Sequence, residues 1–461
     1  MAGGGSFAVG YAVLAGVLGA CTGVAHLVVR ARFAGLRGAA RAVALFVVFE
    51  AALLVVHLLP AALGGLSRGA VLLVAAAALA VAFAIPRTPA VAGPERPEPP
   101  SPRWSWALAI GAWCLVLAYL AVYLQGHHAN AVHHVDLLTF HLPDMARWMQ
   151  DGTIWQNDQF VPLFANGNYP QHGDVSFLAV TLPFSQDSLV RLVPYPYLLA
   201  TGVAVFAVAR ELRAPASTAA LAAAALVATP VVLRPAVVAS LPDAVLLMTF
   251  AAGTLFLLRH ARNGRRGELV LAGVALGIAL GTKWYGVSTV AIAVVVWLAA
   301  RVLAGHRHRA IARDGLLVTA LVAAAGGIWL VRNWAVTGNP LFPVKVPGLF
   351  DAPPDVIRER FGFSVADYLG DPAAWREHLL PDWWTAFSLA GLALLPGVLA
   401  ARGRGLALAA AVPAIVLAYV ITPYTALGER GDPLLIAQNA RYVVPALLLA
   451  APLTAAAVGR L

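Results

Sequence analysis

The chain has 461 residues, of which 60% are apolar and only 12% charged, against roughly 45–50% and 25% in soluble globular proteins. Its 32 Lys and Arg outnumber its 22 Asp and Glu, for a formal net charge of +10. The apolar runs are long and continuous, which excludes a soluble enzyme, a disordered chain and a period-two β-barrel and leaves an all-α polytopic membrane protein.

A spanning helix takes about 20 apolar residues. In chain order, such runs predict thirteen helices, at 6–29, 41–63, 69–86, 104–125, 187–209, 215–233, 242–258, 268–281, 285–300, 315–331, 384–400, 406–422 and 442–458. The eighth is short and ends at Gly281-Thr282-Lys283-Trp284-Tyr285-Gly286. With the ninth it reads as a tight pair or as one broken, re-entrant unit. Cys21 and Cys114 fall inside apolar runs, which argues against a disulfide framework. The N-terminus has no basic stretch before its apolar run and does not read as a cleaved signal peptide.

The basic residues set the orientation. Arg30, Arg32, Arg37, Arg41, Arg87, Arg96, Arg103, Arg210, Arg213, Arg259, Arg262, Arg265, Arg266, Arg301, Arg307, Arg309, Arg313, Arg402, Arg404 and Arg460 fall on one side of the thirteen-helix alternation. Only Glu95, Glu98, Glu211, Glu268 and Asp314 accompany them. The positive-inside rule then puts the N-terminus outside and the C-terminus in the cytoplasm. Basic residues between apolar runs, not on one soluble face, give no reason to expect a nucleic-acid partner. The Pro-rich stretch 87–103 reads as a cytoplasmic linker between a three-helix unit, 1–86, and a larger membrane domain, 104–461. Two long outer loops, 126–186 and 332–383, hold most of the acids and many aromatics.

The first outer loop carries the densest chemistry. It holds Asp136, His141, Asp144, Arg147, Asp151, Asp158 and Asp174 among Trp148, Trp155, Phe160 and Tyr169. Carboxylates bind hydroxyls and ring faces pack on the apolar faces of sugars, so the composition suits sugar recognition. It also suits a solvated loop with interfacial aromatics.

The run Val135-Asp136-Leu137-Leu138-Thr139-Phe140-His141-Leu142-Pro143, then Trp148 and Gln150-Asp151-Gly152, then Tyr169-Pro170, resembles the first outer loop of bacterial GT-C membrane glycosyltransferases. The resemblance is to the branch related to protein O-mannosyltransferases and lipid A aminoarabinose transferases. Phe140 stands where that branch usually has Tyr, and Gly173-Asp174 where it often has Glu. Gly281-Thr282-Lys283-Trp284-Tyr285 is similar to a further family segment. So are Trp329-Leu330-Val331-Arg332-Asn333-Trp334 with Gly338-Asn339-Pro340, and Asn439-Ala440-Arg441-Tyr442-Val443-Val444-Pro445. The resemblance spans about residues 104–458 and does not include the three N-terminal helices.

The resemblance implies a GT-C-like bundle that moves a sugar from a polyprenyl-phosphate carrier to a cell-envelope hydroxyl on the outer face, with inversion. The acceptor would be a polysaccharide, lipid or protein of a bacterial envelope. Asp136 matches the catalytic base. Arg441, Lys283 and Arg332 are the expected donor-phosphate ligands, and His141, Tyr169 and Asp174 the expected pocket residues. No cofactor is required; His127 and His134, at seven-residue spacing, are the candidates for a divalent metal beside Asp136. Asp243 reads as a helix cap ahead of a pocket wall. Glu50 and His57, seven apart in the second helix, are expected to satisfy each other or a neighbouring helix. Segment 344–383 is expected to form amphipathic helices that lid the site. A transporter or flippase of a lipid-linked glycan is the competing reading; it calls for charges at the bilayer midplane and internal repeats.

Overall fold

The computed structural model describes residues 4–88, 99–127, 132, 134–156, 165–352 and 360–460. Linker segment 89–98, with His128, His133, Asp158, Phe160, Arg358 and Glu359, lies outside the described residues.

A helix occupies each of the thirteen predicted positions. Helices α1 (Gly4–Arg32), α2 (Gly38–Ala62) and α3 (Arg68–Ala84) form the N-terminal unit, followed by α4 (Arg103–His127). The first outer loop contributes α5 (Leu142–Asp151) and α6 (His172–Thr181). Then come α7 (Pro194–Glu211), α8 (Ala216–Ala228), α9 (Pro230–Val237), α10 (Asp243–Asn263), α11 (Arg266–Leu280) and α12 (Trp284–Leu303). Helices α13 (His308–Gly326), α14 (Ile328–Thr337), α15 (Leu380–Leu392), α16 (Gly405–Ile421) and α17 (Val444–Val458) complete the bundle.

The count of full spans differs from thirteen. Among the described residues, seven helices are long and apolar enough to cross a membrane, or nine if each bent pair is one span. The bends fall where the sequence breaks the hydrogen-bond ladder. Pro230 opens α9 at 60° to α8, and Gly326-Gly327 joins α13 to α14 at 63°. Helix α15 kinks at Ser388, whose φ is 53°. Helices α11 and α12 form a pair around Gly281–Lys283.

Outward-facing Leu73, Phe83, Leu115 and Val122 are more than 60% exposed, which a lipid surround accounts for and water does not. The interior is sealed by Ala, Val and Leu of α7, α8, α10, α11 and α17. The N-terminal unit packs onto this core through α2, which touches α6, α7 and α11. Buried Glu50 accepts Ser176 Oγ at 2.7 Å and also the Tyr197 hydroxyl, while His57 bonds its own helix at Leu53 O, 2.8 Å away. Glu50 is therefore satisfied by neighbouring α6 and α7 and His57 by its own helix, not by each other. The same unit holds the first outer loop: Trp155 Nε1 donates to Ala62 O at 2.7 Å, and Leu66 N to Gly152 O at 2.9 Å.

One end of the bundle is clamped by ion pairs. Arg259 bridges Glu211 at 2.6 Å and Glu268 at 3.0 Å, and Arg262 adds a 2.6 Å pair to Glu211. Arg301 donates to Asp314 at 2.8 Å. Buried pairs of this kind fix helix register more than they add net stability. Helix α10 runs from this layer to Asp243 in 21 residues, about 30 Å at 1.5 Å per residue. That equals the hydrocarbon thickness of a bilayer. Asp243 and the ion-pair layer are thus separated by about the thickness of a bilayer's hydrocarbon.

Candidate active site

The polar layer at the Asp243 end surrounds a cavity of about 440 Å³. Four chain segments, far apart in sequence, supply its charged walls: Asp136, Asp243, Lys283 and Arg441.

Asp136 precedes a π-turn, Leu137–His141, that leads into α5 with Pro143 in its first turn. Across that turn Asp136 and Phe140 reach the cavity, while His141 points into the protein and is 1% exposed. Helix α5 ends at Gly152, whose φ of 71° suits a residue without Cβ. Trp148 anchors the helix from below by stacking on Trp329, centroids 5.6 Å apart.

The Tyr169-Pro170 turn is clamped from α14. Arg332 donates to Gln171 Oε1 at 2.9 Å and to the Gly167 carbonyl, and its guanidinium lies 4.7 Å over the Trp329 ring. Asn333 Nδ2 donates to Asn168 O at 2.9 Å. Arg332, expected beside the donor phosphate, is instead 1% exposed and absent from the cavity wall. The bend between α13 and α14 turns it toward the loop carbonyls.

Lys283 sits between α11 and α12, and the preceding glycine explains why. His172 packs its ring against Gly281, where a Cβ would collide with it. Its backbone N donates to Gly281 O at 2.8 Å. Trp329 Nε1 donates to His172 Nδ1 at 2.7 Å, so His172 Nε2 carries the proton given to Ala325 O at 2.6 Å.

Behind the wall runs a buried polar chain. Lys283 Nζ is 3.0 Å from His141 Nε2, and His141 Nδ1 is 2.6 Å from Asp174 Oδ1. Burial, reinforced by the Lys283 ammonium, holds the His141 imidazole well below its ordinary pKa, hence neutral. The consistent assignment has Lys283 donating to Nε2 and Nδ1–H donating to Asp174. Burial lifts Asp174 to about 7 against the pull of Lys283. Burial also lowers Lys283, despite the attraction of nearby carboxylates. His141 and Asp174, expected in the pocket, stand one layer behind it; Tyr169 is in its wall.

Arg441, in the short turn before α17, completes the wall. Its Nη2 donates to Asp136 Oδ2 at 3.0 Å. Nε lies 3.9 Å from Asp243 Oδ1, and Nε and Nη1 have no hydrogen-bond partner among the described residues. Burial alone would raise Asp136, but Arg441 and then Lys283 overcome it and hold the carboxyl at about 2. A buried guanidinium in a cavity wall, with Nε and Nη1 unmatched, is a ready anion site.

Of the two sequence readings for Asp243, cap and pocket wall, the structure shows the second. Asp243 is the first residue of α10, accepts the Tyr285 hydroxyl at 2.9 Å and forms part of the cavity wall. Thr422-Pro423-Tyr424 and Gln438, missed in the sequence, also line the cavity. Tyr424 adopts φ 68°, and Asn439 Nδ2 secures its carbonyl at 2.7 Å. From segment 344–383, Val344 reaches the wall. Among the described residues no group of three His, Cys, Asp or Glu side chains is placed to hold a metal. His134 Nδ1 accepts the Asp136 backbone N–H at 3.2 Å, and the His127 side chain lies outside the described residues.

No curated protein and no solved structure matches the chain. Residues 167–313, less than half of it, match the family model of dolichyl-phosphate-mannose-protein mannosyltransferases and include Tyr169, Asp174, Asp243 and Lys283. Over those residues the chain is thus similar to a family of GT-C membrane glycosyltransferases, and the matched stretch is set in an all-α membrane fold.

Proposed function

We propose that the chain transfers a sugar from a polyprenyl-phosphate carrier to a hydroxyl of a bacterial cell-envelope acceptor, on the extracytoplasmic face and with inversion. The observation that carries this reading is the Asp136–Arg441 pair in the wall of the cavity, with the remaining Arg441 N–H groups unmatched. The donor phosphate takes those N–H groups together with the Lys283 ammonium. Asp136 accepts the proton of the acceptor hydroxyl as its oxygen bonds to the anomeric carbon. The bond from that carbon to the phosphate oxygen breaks, and its electron pair leaves with the lipid phosphate. Arg441 and Lys283 neutralise the charge that develops there. Negative charge from Asp136 and Asp243 favours oxocarbenium character at the sugar.

A carboxyl held at about 2 is a weak base. Phosphate binding corrects this: an anion on Arg441 and Lys283 screens their hold on Asp136 and raises its basicity when the reactants are assembled. Donor binding and base activation are then one event.

The test is transfer by the nanodisc-reconstituted protein. It is offered polyprenyl-phosphate sugars and a cell-envelope extract, with Asp136→Asn alongside. Transfer that collapses in the variant while donor binding persists supports the reading. Lipid-linked sugar moved across the bilayer without transfer, equally in both proteins, overturns it in favour of a flippase.

A further inference from the structure

Asp243 has a task that neither the base nor the phosphate site needs. Its side chain is buried, at 4% exposure, yet it belongs to the cavity wall. One oxygen, Oδ1, accepts the Tyr285 hydroxyl at 2.9 Å. The other, Oδ2, is buried with no partner among the described residues. Arg441 does not satisfy it, since its nearest approach is Nε to Oδ1 at 3.9 Å. An ionised oxygen withdrawn from water and left unmatched is costly, and such sites are completed by a ligand's donors.

Three features say which donors. Arg441 lies between Asp136 and Asp243, so a phosphate on Arg441 brings the attached sugar against both carboxylates. The Tyr285 ring stacks on Tyr442, centroids 5.2 Å apart, and both are part of the wall. This gives the subsite an aromatic flank of the kind that packs on a sugar's C–H face. Finally, Tyr285 occupies Oδ1 and thereby fixes the plane of the carboxylate, leaving Oδ2 to the ligand.

We infer that Asp243 Oδ2 and the Tyr285–Tyr442 pair form a hydroxyl-binding subsite that selects the sugar of the lipid-linked donor. Asp243 is a specificity-determining residue, distinct from the base. The inference rests on the transferase reading above and adds to it the group that reads the donor.

The experiment is a cycle of variants against deoxy donors in the nanodisc-reconstituted full chain. The probes are polyprenyl-phosphate-mannose, -glucose and -arabinose, then the monodeoxy analogues of whichever wild type uses best. Asp243→Asn should lower kcat/KM for the intact donor about 10- to 100-fold, the range of one hydrogen bond to a charged group. One monodeoxy donor should cost wild type a similar factor and cost Asp243→Asn almost nothing further. A purely structural Asp243 would slow every donor alike, and that outcome overturns the inference. If Asp243→Asn does not fold, Tyr285→Phe, which frees Oδ1 to rotate, should weaken discrimination at the same ring position. Equal loss on all donors in that variant overturns the inference too. Absence of transfer by wild type from every donor removes the transferase reading itself, a result distinguishable from uniform loss in the variants.

Discussion

Arg441 and Asp136, 305 residues apart in the chain, meet at 3.0 Å across the cavity. The contact closes the site by joining the first outer loop to the approach of the last helix. Because each residue limits what the other can do alone, the pair yields the first two predictions.

Asp136→Asn should lower transfer by about 10²–10⁴-fold, the usual contribution of a general base. Donor affinity should stay within a few-fold, because the amide removes a charge that repels phosphate. Parallel transfer and donor-binding assays check this; equal loss in both would deny Asp136 the role of base.

Arg441→Gln should move the acid limb of the kcat/KM profile upward. In wild type Asp136 titrates near 2, so the free enzyme keeps its base ionised throughout the usable range. Without the guanidinium, burial is opposed chiefly by Lys283, and the limb should enter the measurable acid range. A pH-rate profile of the two proteins reads the shift directly.

Asp174 gives a stability prediction of opposite sign. Its folded pKa is raised to about 7, above the ordinary 3.8. Its contribution is therefore fully present below about 4 and declines as pH rises through 7. The wild-type melting temperature should fall between pH 5 and pH 8 more than that of Asp174→Asn. Identical slopes would mean that Asp174 titrates elsewhere.

Gly281→Val should destabilise by about 1–3 kcal/mol, the cost of overpacking a filled site. The added side chain collides with the His172 ring, which ties the loop to Ala325 and Trp329. Thermal unfolding in detergent measures the loss, and an unchanged melting temperature would show that the ring yields freely.

Orientation can be tested with single cysteines. Leu349→Cys, at an exposed outer-loop site, should react with an impermeant maleimide in intact cells. Arg307→Cys, between α12 and α13, should react only after permeabilisation. The reverse pattern would invert the topology.

The helices were legible because continuous apolar runs carry their own signal, whatever their partners. The bends were harder. The predicted helices 215–233 and 315–331 run straight through Pro230 and Gly326-Gly327, which break the helix without interrupting the apolar run. Local motifs marked Asp136, Lys283 and Arg441, and the fold places all three at one cavity. Arg332 was marked because a charge at the end of an apolar run suggests a ligand site; that it bonds loop carbonyls depends on tertiary structure and was not legible. Asp243 follows Pro242 at a helix start, where an acid is ordinarily a cap; the approach of Tyr285 and Arg441 favours the pocket-wall reading that the sequence ranked second. Glu211, Glu268 and Asp314 counted in the sequence merely as scarce acids on the basic side. Their role as buried clamps depends on pairing that composition does not encode.

The length of α10 also bears on how a greasy substrate is handled. Extracting a polyprenyl tail into water would cost about 0.8 kcal/mol per exposed methylene, soon exceeding what any headgroup contact returns. A 21-residue helix spans about the hydrocarbon thickness, so a cavity at its end would lie at the hydrocarbon boundary. There the tail can remain dissolved among lipids while only phosphate and sugar enter the protein. For the proposed lipid-linked donor, the same placement would let the spent carrier diffuse away laterally without leaving its lipid solvent.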